Sequence, residues 1–289
     1  MKLTDISTVR SIMAAHGTDF KKKFGQNFLI NEGIPRRIAE ECGAEPEDAI
    51  LEIGPGIGTL TRELAARYRK VVAVEIDPAL IPILSETLSD FENVTVIHAD
   101  ILKLDLSALF REYFAGQRVT VCANLPYYIT TPILMHLLES HAPVDHITVM
   151  VQKEVASRLA AAPGTPEYGA ITASVRYYAS IRRLFTVSAG SFMPAPKVDS
   201  AVVRLSLYKE KPHTPADEGL MFRVLRAVFS MRRKTLLNTL GSEFSEIGKE
   251  DLRRLLTEAG YAPDIRGEVL DVPDFCGIAD KILQFTHIL

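Results

Sequence analysis

Residues 49–68 read AILEIGPGIGTLTRELAARY, and this one stretch sets the fold class. AILEI has the length and apolar, branched composition of a buried strand, while TLTRELAARY spaces its apolar residues as an amphipathic helix does. Between them Gly54, Gly56 and Gly58 are separated by single residues. Glycines let the backbone turn tightly and approach a ligand, and the helix that follows offers unpaired N–H groups at its start. A strand, a glycine turn and a helix in direct succession open an α/β unit whose ligand lies at the carboxyl end of the strand.

The alternation continues on the C-terminal side. KVVAVEI (70–76), VTVIHA (94–99), VTVCAN (119–124) and HITVMVQ (146–152) read as further strands, with PALIPILSETL (78–88) as a helix between the first two. Short apolar strands alternating with helices predict a mostly parallel sheet covered on both faces. Residues 183–208 break the pattern: two strands joined by a Pro-containing loop without a crossover helix predict one antiparallel pair. KEKPHTPADEG then reads as a polar linker, and from Leu220 onward only helical periodicities occur. The boundaries drawn are a sheet domain over 1–208, a linker over 209–217 and a helical domain over 218–289.

Composition excludes several classes. The chain has 289 residues, 47% hydrophobic and 24% charged, which suits a globular protein with a full core. No apolar run is long enough to span a bilayer, and MKLTDISTVRSIMAAHG has no secretory apolar region, so a cytoplasmic protein is expected. Cys42, Cys122 and Cys276 are far apart among apolar neighbours, as reduced core thiols would be, and no metal is expected. With a net charge of -3, a polyanionic partner requires locally concentrated positive charge.

Acidic residues accompany the glycines. Glu75 ends the second strand about twenty residues on, where a carboxylate can hold a ribose diol. A dinucleotide site would carry glycine at position 59, which is Thr59. The G-x-G-x-G spacing, with Glu52 two residues ahead, leans towards S-adenosylmethionine, because a carboxylate near a cationic ligand is favourable. Asp100, after the third strand, is placed to accept from an adenine amine, although a lone aspartate there is more often a helix N-cap.

The fourth strand ends in CANLPYY (122–128). Asparagine and proline are ordinary turn formers, so Asn124-Leu125-Pro126-Tyr127 alone reads as a turn. Beside a methyl-donor site it reads otherwise. Transfer from a sulfonium needs position and field more than a strong base. The Asn124 oxygen and the Leu125 carbonyl are candidate acceptors for the hydrogens of an aromatic amine, with Pro126 holding the turn and the Tyr127 ring stacking on the base. Tyr128 is expected to pack.

KKFGQNFL (22–29), LEIGPGIGTLT (51–61), VVAVEID (71–77), HAD (98–100), NLPYYITTPIL (124–134), VQKEVA (151–156), FMPAPKVDSAVVRL (192–205) and FSMRRKTLLNTL (229–240) together resemble the KsgA (RsmA) family of ribosomal RNA adenine dimethyltransferases. The resemblance runs from about residue 20 to the C-terminus. It implies a Rossmann-like class I S-adenosylmethionine-dependent methyltransferase sheet, mostly parallel with one antiparallel strand, and a small C-terminal helical domain that binds RNA. It further implies dimethylation of N6 on two adjacent adenosines near the 3′ end of small-subunit (16S) ribosomal RNA, in ribosome biogenesis. Asn27, Leu29, Gly54, Gly56, Glu75, Asp100 and Asn124 would then contact the cofactor, and Phe192 would sandwich the target adenine opposite Tyr127. Residues 1–20 lie outside these signatures and have no assigned role.

Two basic clusters are candidate RNA contacts. Lys21, Lys22 and Lys23 precede the cofactor motif, while Arg223, Arg226, Arg232, Arg233 and Lys234 fall in a stretch free of acidic residues. Arg223, Arg226 and Arg233 are spaced for one helical face. A solvated helix face is the simpler reading of such charges, and phosphate contact the favoured one. The expected partner is the small ribosomal subunit, with no membrane and no obligate protein partner, the chain acting as a monomer. The competing readings are a macrolide-resistance methylase acting on large-subunit RNA, a non-catalytic assembly or transcription factor on the same fold, and a nicotinamide dehydrogenase.

Overall fold

The structure is a computed structural model and describes residues 1–18 and 27–288. In chain order the elements are α1 (Ile6–Ala15), β1 (Phe28–Leu29), α2 (Gly33–Glu40), β2 (Ala49–Ile53), α3 (Thr59–Ala65), β3 (Lys70–Glu75), α4 (Ile81–Thr87), β4 (Val94–His98) and α5 (Leu106–Tyr113). They continue as β5 (Val119–Asn124), α6 (Thr130–Glu139), β6 (Val144–Gln152), α7 (Lys153–Leu159), α8 (Ala170–Tyr178), β7 (Ala179–Val187), β8 (Phe192–Met193) and β9 (Ser200–Leu207). Four further helices follow: α9 (Glu218–Ser230), α10 (Leu236–Glu243), α11 (Lys249–Glu258) and α12 (Val272–Ile288).

Seven strands form one sheet in the order β4-β3-β2-β5-β6-β9-β7. The pairs from β4 through β6 are parallel, and β9 lies antiparallel to β6. Every residue of β2 is buried, as are the last five of β3 and the first five of β5. Such continuous burial is what a parallel strand covered on both faces requires. The chain leaves β2 towards β3 on one side and returns to β5 on the other, so the order reverses between β2 and β5. A crevice outside the carboxyl ends of these strands is where open α/β sheets bind ligands.

Two elements had no sequence signal. β1 and β8 pair antiparallel as a separate two-stranded ribbon, Phe28 opposite Met193 and Leu29 opposite Phe192. Strands of two residues carry no periodicity to read. Helix α1 gives the N-terminal segment a place in the fold: Asp5 caps it by accepting from the Thr8 N–H, and Val9, Ile12 and Met13 pack with Phe28, Ile57, Leu80 and Ile83.

The chain divides into two compact units, residues 1–156 with 181–207, and residues 157–180 with 208–289. By sequence, 157–180 precede the domain boundary. In the structure they belong to the second unit, through side chains that composition does not reveal. Glu218 on α9 accepts from the hydroxyls of Tyr177 and Tyr178 and pairs with Lys211, each at 2.8–2.9 Å. Arg176 makes a two-pronged ion pair with Asp271, and the Phe222 ring packs on both tyrosines.

Candidate active site

The glycine turn after β2 is left-handed at three positions: φ is +70° at Gly54, +62° at Gly56 and +89° at Gly58. Side chains rarely tolerate this region. At Gly56 space is tight as well, since an added Cβ would stand 3.1 Å from the Phe28 ring. At Gly54 an added Cβ would meet nothing within 4 Å. The Gly54 N–H donates to the Val74 carbonyl at 2.9 Å, which ties the turn to β3.

Glu75, at the end of β3, is buried and serves the same turn. Its Oε2 accepts from the Gly56 N–H at 3.2 Å and its Oε1 from the Asp77 N–H at 2.8 Å. Burial raises its pKa, and those two N–H groups pull it back. Glu52, two residues before Gly54, is only 1% exposed. Desolvation, with a smaller contribution from the Glu75 charge, pushes its carboxyl up to about 8. The Thr61 hydroxyl acts in the opposite direction, yet neither its Oγ1 nor Glu52 Oε2 completes a hydrogen bond.

One cavity, within the first unit, gathers most of the sequence-predicted set. Asn27 and Leu29 line it, as do Glu52, Gly54 and Gly56 around β2, Glu75 after β3, Asp100 after β4, and Asn124, Leu125, Pro126 and Tyr127 after β5. Asp100 has two roles. Its Oδ1 caps the turn Ile101–Lys103 by accepting from the Leu102 N–H at 3.1 Å, and the residue also forms part of the cavity wall. Phe28, Ile76, Ile101 and Tyr128 line it too and were not singled out by sequence. Ile76 was legible in principle, as an apolar residue directly after the carboxylate that ends a strand.

The Asn124 side chain donates from Nδ2 to the Asn27 carbonyl at 3.3 Å. Only the NH₂ end of an amide can face a carbonyl, so this contact fixes Oδ1 as the remaining acceptor. Pro126 (φ -58°, ψ 131°) starts the next turn, and its carbonyl accepts from the Ile129 N–H and the Thr130 hydroxyl, each at 3.2 Å. Leu125 is buried. The half-buried Tyr127 is held by a 2.6 Å hydrogen bond between its hydroxyl and Ser200 Oγ. Burial raises that phenol's pKa.

Phe192 and Tyr128 have contrasting settings, and the expectation that Tyr128 packs is corrected. Phe192 is 3% exposed, pairs with Leu29 and sits in the core cluster with Ile38, Leu60 and Val202; it is not among the residues lining the cavity. Its position in a two-residue strand over an apolar cluster turns the ring inward. Tyr128, expected to pack, is 61% exposed on the cavity wall, because the turn Tyr127–Ile129 carries its side chain outward while that of Tyr127 is held by Ser200.

The basic residues of the second unit also differ from expectation. Helix α9 stops at Ser230, so Arg233 does not share a helical face with Arg223 and Arg226; Arg232, Arg233 and Lys234 form the turn before α10. Arg223 is engaged internally, donating to the Glu243 carboxylate at 2.7 Å and lying over the Phe244 ring. Arg232 reaches the Pro166 carbonyl at 3.1 Å and Glu268 at 3.4 Å. Among the described residues, Arg226, Arg233 and Lys234 are exposed and without an ion pair. Lys21, Lys22 and Lys23 lie outside the described residues.

A mostly parallel sheet with one reversed strand, and an acid-and-glycine cleft at its carboxyl edge, defines a nucleoside-cofactor enzyme of the methyltransferase kind. A family model described as ribosomal RNA adenine dimethylase matches residues 17–261, and the chain belongs to that family. It is 47% identical over 291 residues to a protein of Geobacillus thermodenitrificans named ribosomal RNA small subunit methyltransferase A, covering 98% of this chain and 99% of that one. A protein of the same name from Bacillus mycoides is 47% identical over 97% of this chain and 98% of its own. Among solved structures, a dimethyladenosine transferase from Plasmodium falciparum matches with TM-score 0.73 and 26% identity, covering 90% of this chain and 97% of that one. The 23S rRNA methyltransferase ErmE matches with TM-score 0.67 and 27% identity over 89% of this chain and all of that one.

Proposed function

We propose that the cleft at the carboxyl ends of β2–β5 holds S-adenosylmethionine, and that the protein uses it to dimethylate N6 of two adjacent adenosines near the 3′ end of small-subunit ribosomal RNA. One observation carries this reading: the glycine turn with its acidic residues and the Asn124-Leu125-Pro126-Tyr127 turn line the same cavity. Identity of 47% to small-subunit methyltransferases over nearly the whole of both chains supports the small subunit as substrate.

The residues present fit the cofactor. Left-handed Gly54 leaves open space where any side chain would intrude, and Glu52 Oε2 is a buried acceptor without a hydrogen-bond partner. Gly54 and Gly56 would lie along the ligand, with Glu75 on the ribose hydroxyls, Asp100 on the adenine amine, and Asn27 and Leu29 closing the cavity. When bound, the sulfonium supplies an activated methyl group. Asn124 Oδ1, oriented by the Asn27 carbonyl, accepts from one hydrogen of the target amine, and the Leu125 carbonyl from the other. Both acceptors favour a pyramidal nitrogen with its lone pair directed at the methyl. Tyr127, anchored at its hydroxyl by Ser200, presents its ring to the base. A neutral amide suits this work, since the amine must keep its lone pair. Exposed Arg226, Arg233 and Lys234 are the cations of the second unit best suited to phosphate, and the site of action is the small ribosomal particle in the cytoplasm.

The test is incubation with methyl-labelled S-adenosylmethionine and immature small subunits lacking the modification. Label recovered as N6,N6-dimethyladenosine is the expected outcome; unlabelled RNA, or label in large subunits instead, contradicts it.

A further inference from the structure

Tyr128 is an aromatic residue that the packing of the fold does not use. Among the described residues it is the only phenylalanine or tyrosine that is exposed, at 61%, and its hydroxyl makes no hydrogen bond. A lone exposed ring on a protein surface is ordinary and by itself points to nothing. This one stands on the wall of the cleft, next in sequence to Tyr127 and within the same three-residue turn, Tyr127–Ile129. The turn is firmly held. The Pro126 carbonyl accepts from the Ile129 N–H and the Thr130 hydroxyl, each at 3.2 Å, and Thr130 and Ile133 are buried in the first turn of α6. Ser200 ties down the hydroxyl of Tyr127 at 2.6 Å. The backbone therefore fixes where the Tyr128 ring emerges, at the rim of the cleft that Asn124 and Leu125 also line.

We infer that the Tyr128 ring is a stacking platform for the second adenosine of the pair while the first is being methylated. This rests on the function proposed above and extends it from the target base to its neighbour. The Asn124 Oδ1 and the Leu125 carbonyl serve one amine at a time, whereas the proposed substrate carries two adenosines in succession. Drawing one base into the cleft takes it out of its stack, which is costly and leaves a face of the adjoining base bare. An aromatic ring mounted on a rigid turn at the rim offers that face a replacement. Stacking needs no hydrogen bond from the ring, so the free hydroxyl of Tyr128 is no loss. The two tyrosines then divide the work: the half-buried ring of Tyr127 receives the base that reacts, and the exposed ring of Tyr128 the base beside it.

The experiment measures kcat/KM for methyl transfer to immature small subunits by wild type, Tyr128→Ala and Tyr128→Phe. Three substrates are compared: RNA with both adenosines, and RNA with an abasic nucleotide in place of either one. On the intact pair Tyr128→Ala should lower kcat/KM by about 5- to 150-fold, chiefly through KM for RNA, the range that loss of one base stack spans. Tyr128→Phe keeps the ring and should stay close to wild type. With one of the abasic placements the penalty of Tyr128→Ala should vanish, because the base that stacked on the ring is gone. That placement shows on which side of the target the platform lies. Affinity for S-adenosylmethionine and the unfolding midpoint should not move, since the ring is exposed. Near-normal kcat/KM for Tyr128→Ala on intact RNA overturns the inference and leaves the proposed function standing. So does a penalty that is equal on all three substrates, or a parallel loss of cofactor affinity, which would make the ring part of the cofactor's wall. A wild-type protein that transfers no methyl group to intact subunits overturns the proposed function, and this inference with it.

Discussion

The cleft of the first unit and the basic turn of the second are built on opposite principles. In the cleft nearly every polar group is spoken for: Glu75 holds the glycine turn, Asn124 is fixed by Asn27, and Tyr127 by Ser200. In the turn after α9, Arg233 and Lys234 stand exposed among the described residues, held by no ion pair. A site held by backbone and buried groups is rigid and little affected by salt. A cluster of free cations is adaptable, and its interactions are screened within about 8–10 Å. Substitutions in the two regions should therefore fail in different ways.

The largest effect is expected where the cleft meets the core. Phe192→Ala should destabilise the protein by about 3–5 kcal/mol, as removal of a buried aromatic ring does. Denaturant unfolding measures this, and a loss of turnover with unchanged stability would instead return Phe192 to the base-stacking role. Next, Tyr127→Ala should weaken productive binding of the RNA base by about 1–3 kcal/mol, the usual value of base stacking. Tyr127→Phe keeps the ring and should cost only about 1 kcal/mol of stability, because the hydrogen bond to Ser200 is removed. Comparing the RNA KM of the two variants separates ring from hydroxyl. Arg233→Ala with Lys234→Ala should lower RNA affinity and flatten its salt dependence, reducing the slope of log K against log salt by about 0.7–0.9 for each phosphate no longer neutralised. Cofactor affinity should not move, and an unchanged slope would remove the turn from the RNA surface. The smallest effect is expected at Arg232, whose exposed pair with Glu268 should contribute no more than about 1 kcal/mol to stability.

What could be read from sequence divides along the same line. The strands of the sheet announced themselves as apolar runs because both their faces are buried, and the turn at Gly54–Gly58 because only glycine accepts its left-handed backbone. Asn124 was legible as an amide where a charge or a nucleophile would be ordinary. Features that depend on side-chain direction were not legible. Helical spacing put Arg233 on one face with Arg226, but α9 ends three residues earlier, at Ser230. Tyr127 and Tyr128 are neighbours of one type, and only the hydrogen bond to Ser200 makes one half-buried and the other exposed. The ribbon of Leu29 against Phe192 joins segments too short to carry a pattern, and it alone takes Phe192 inward. Residues 157–180 join the helical unit through Tyr177, Tyr178 and Arg176, contacts that no composition boundary can show.

The central claim is that Asn124 orients the target amine without being needed to build the cleft. Single-turnover methyl transfer to immature small subunits, at saturating S-adenosylmethionine, tests it directly when wild type and Asn124→Ala are run side by side with equilibrium binding of the cofactor. A rate lower by about 10²–10³-fold is predicted, the size of effect produced by removing one positioned hydrogen-bonding group, with cofactor affinity changed only a few-fold and stability lowered by no more than about 1 kcal/mol through loss of the bond to the Asn27 carbonyl. A variant that transfers methyl groups at a rate near that of wild type would contradict the account.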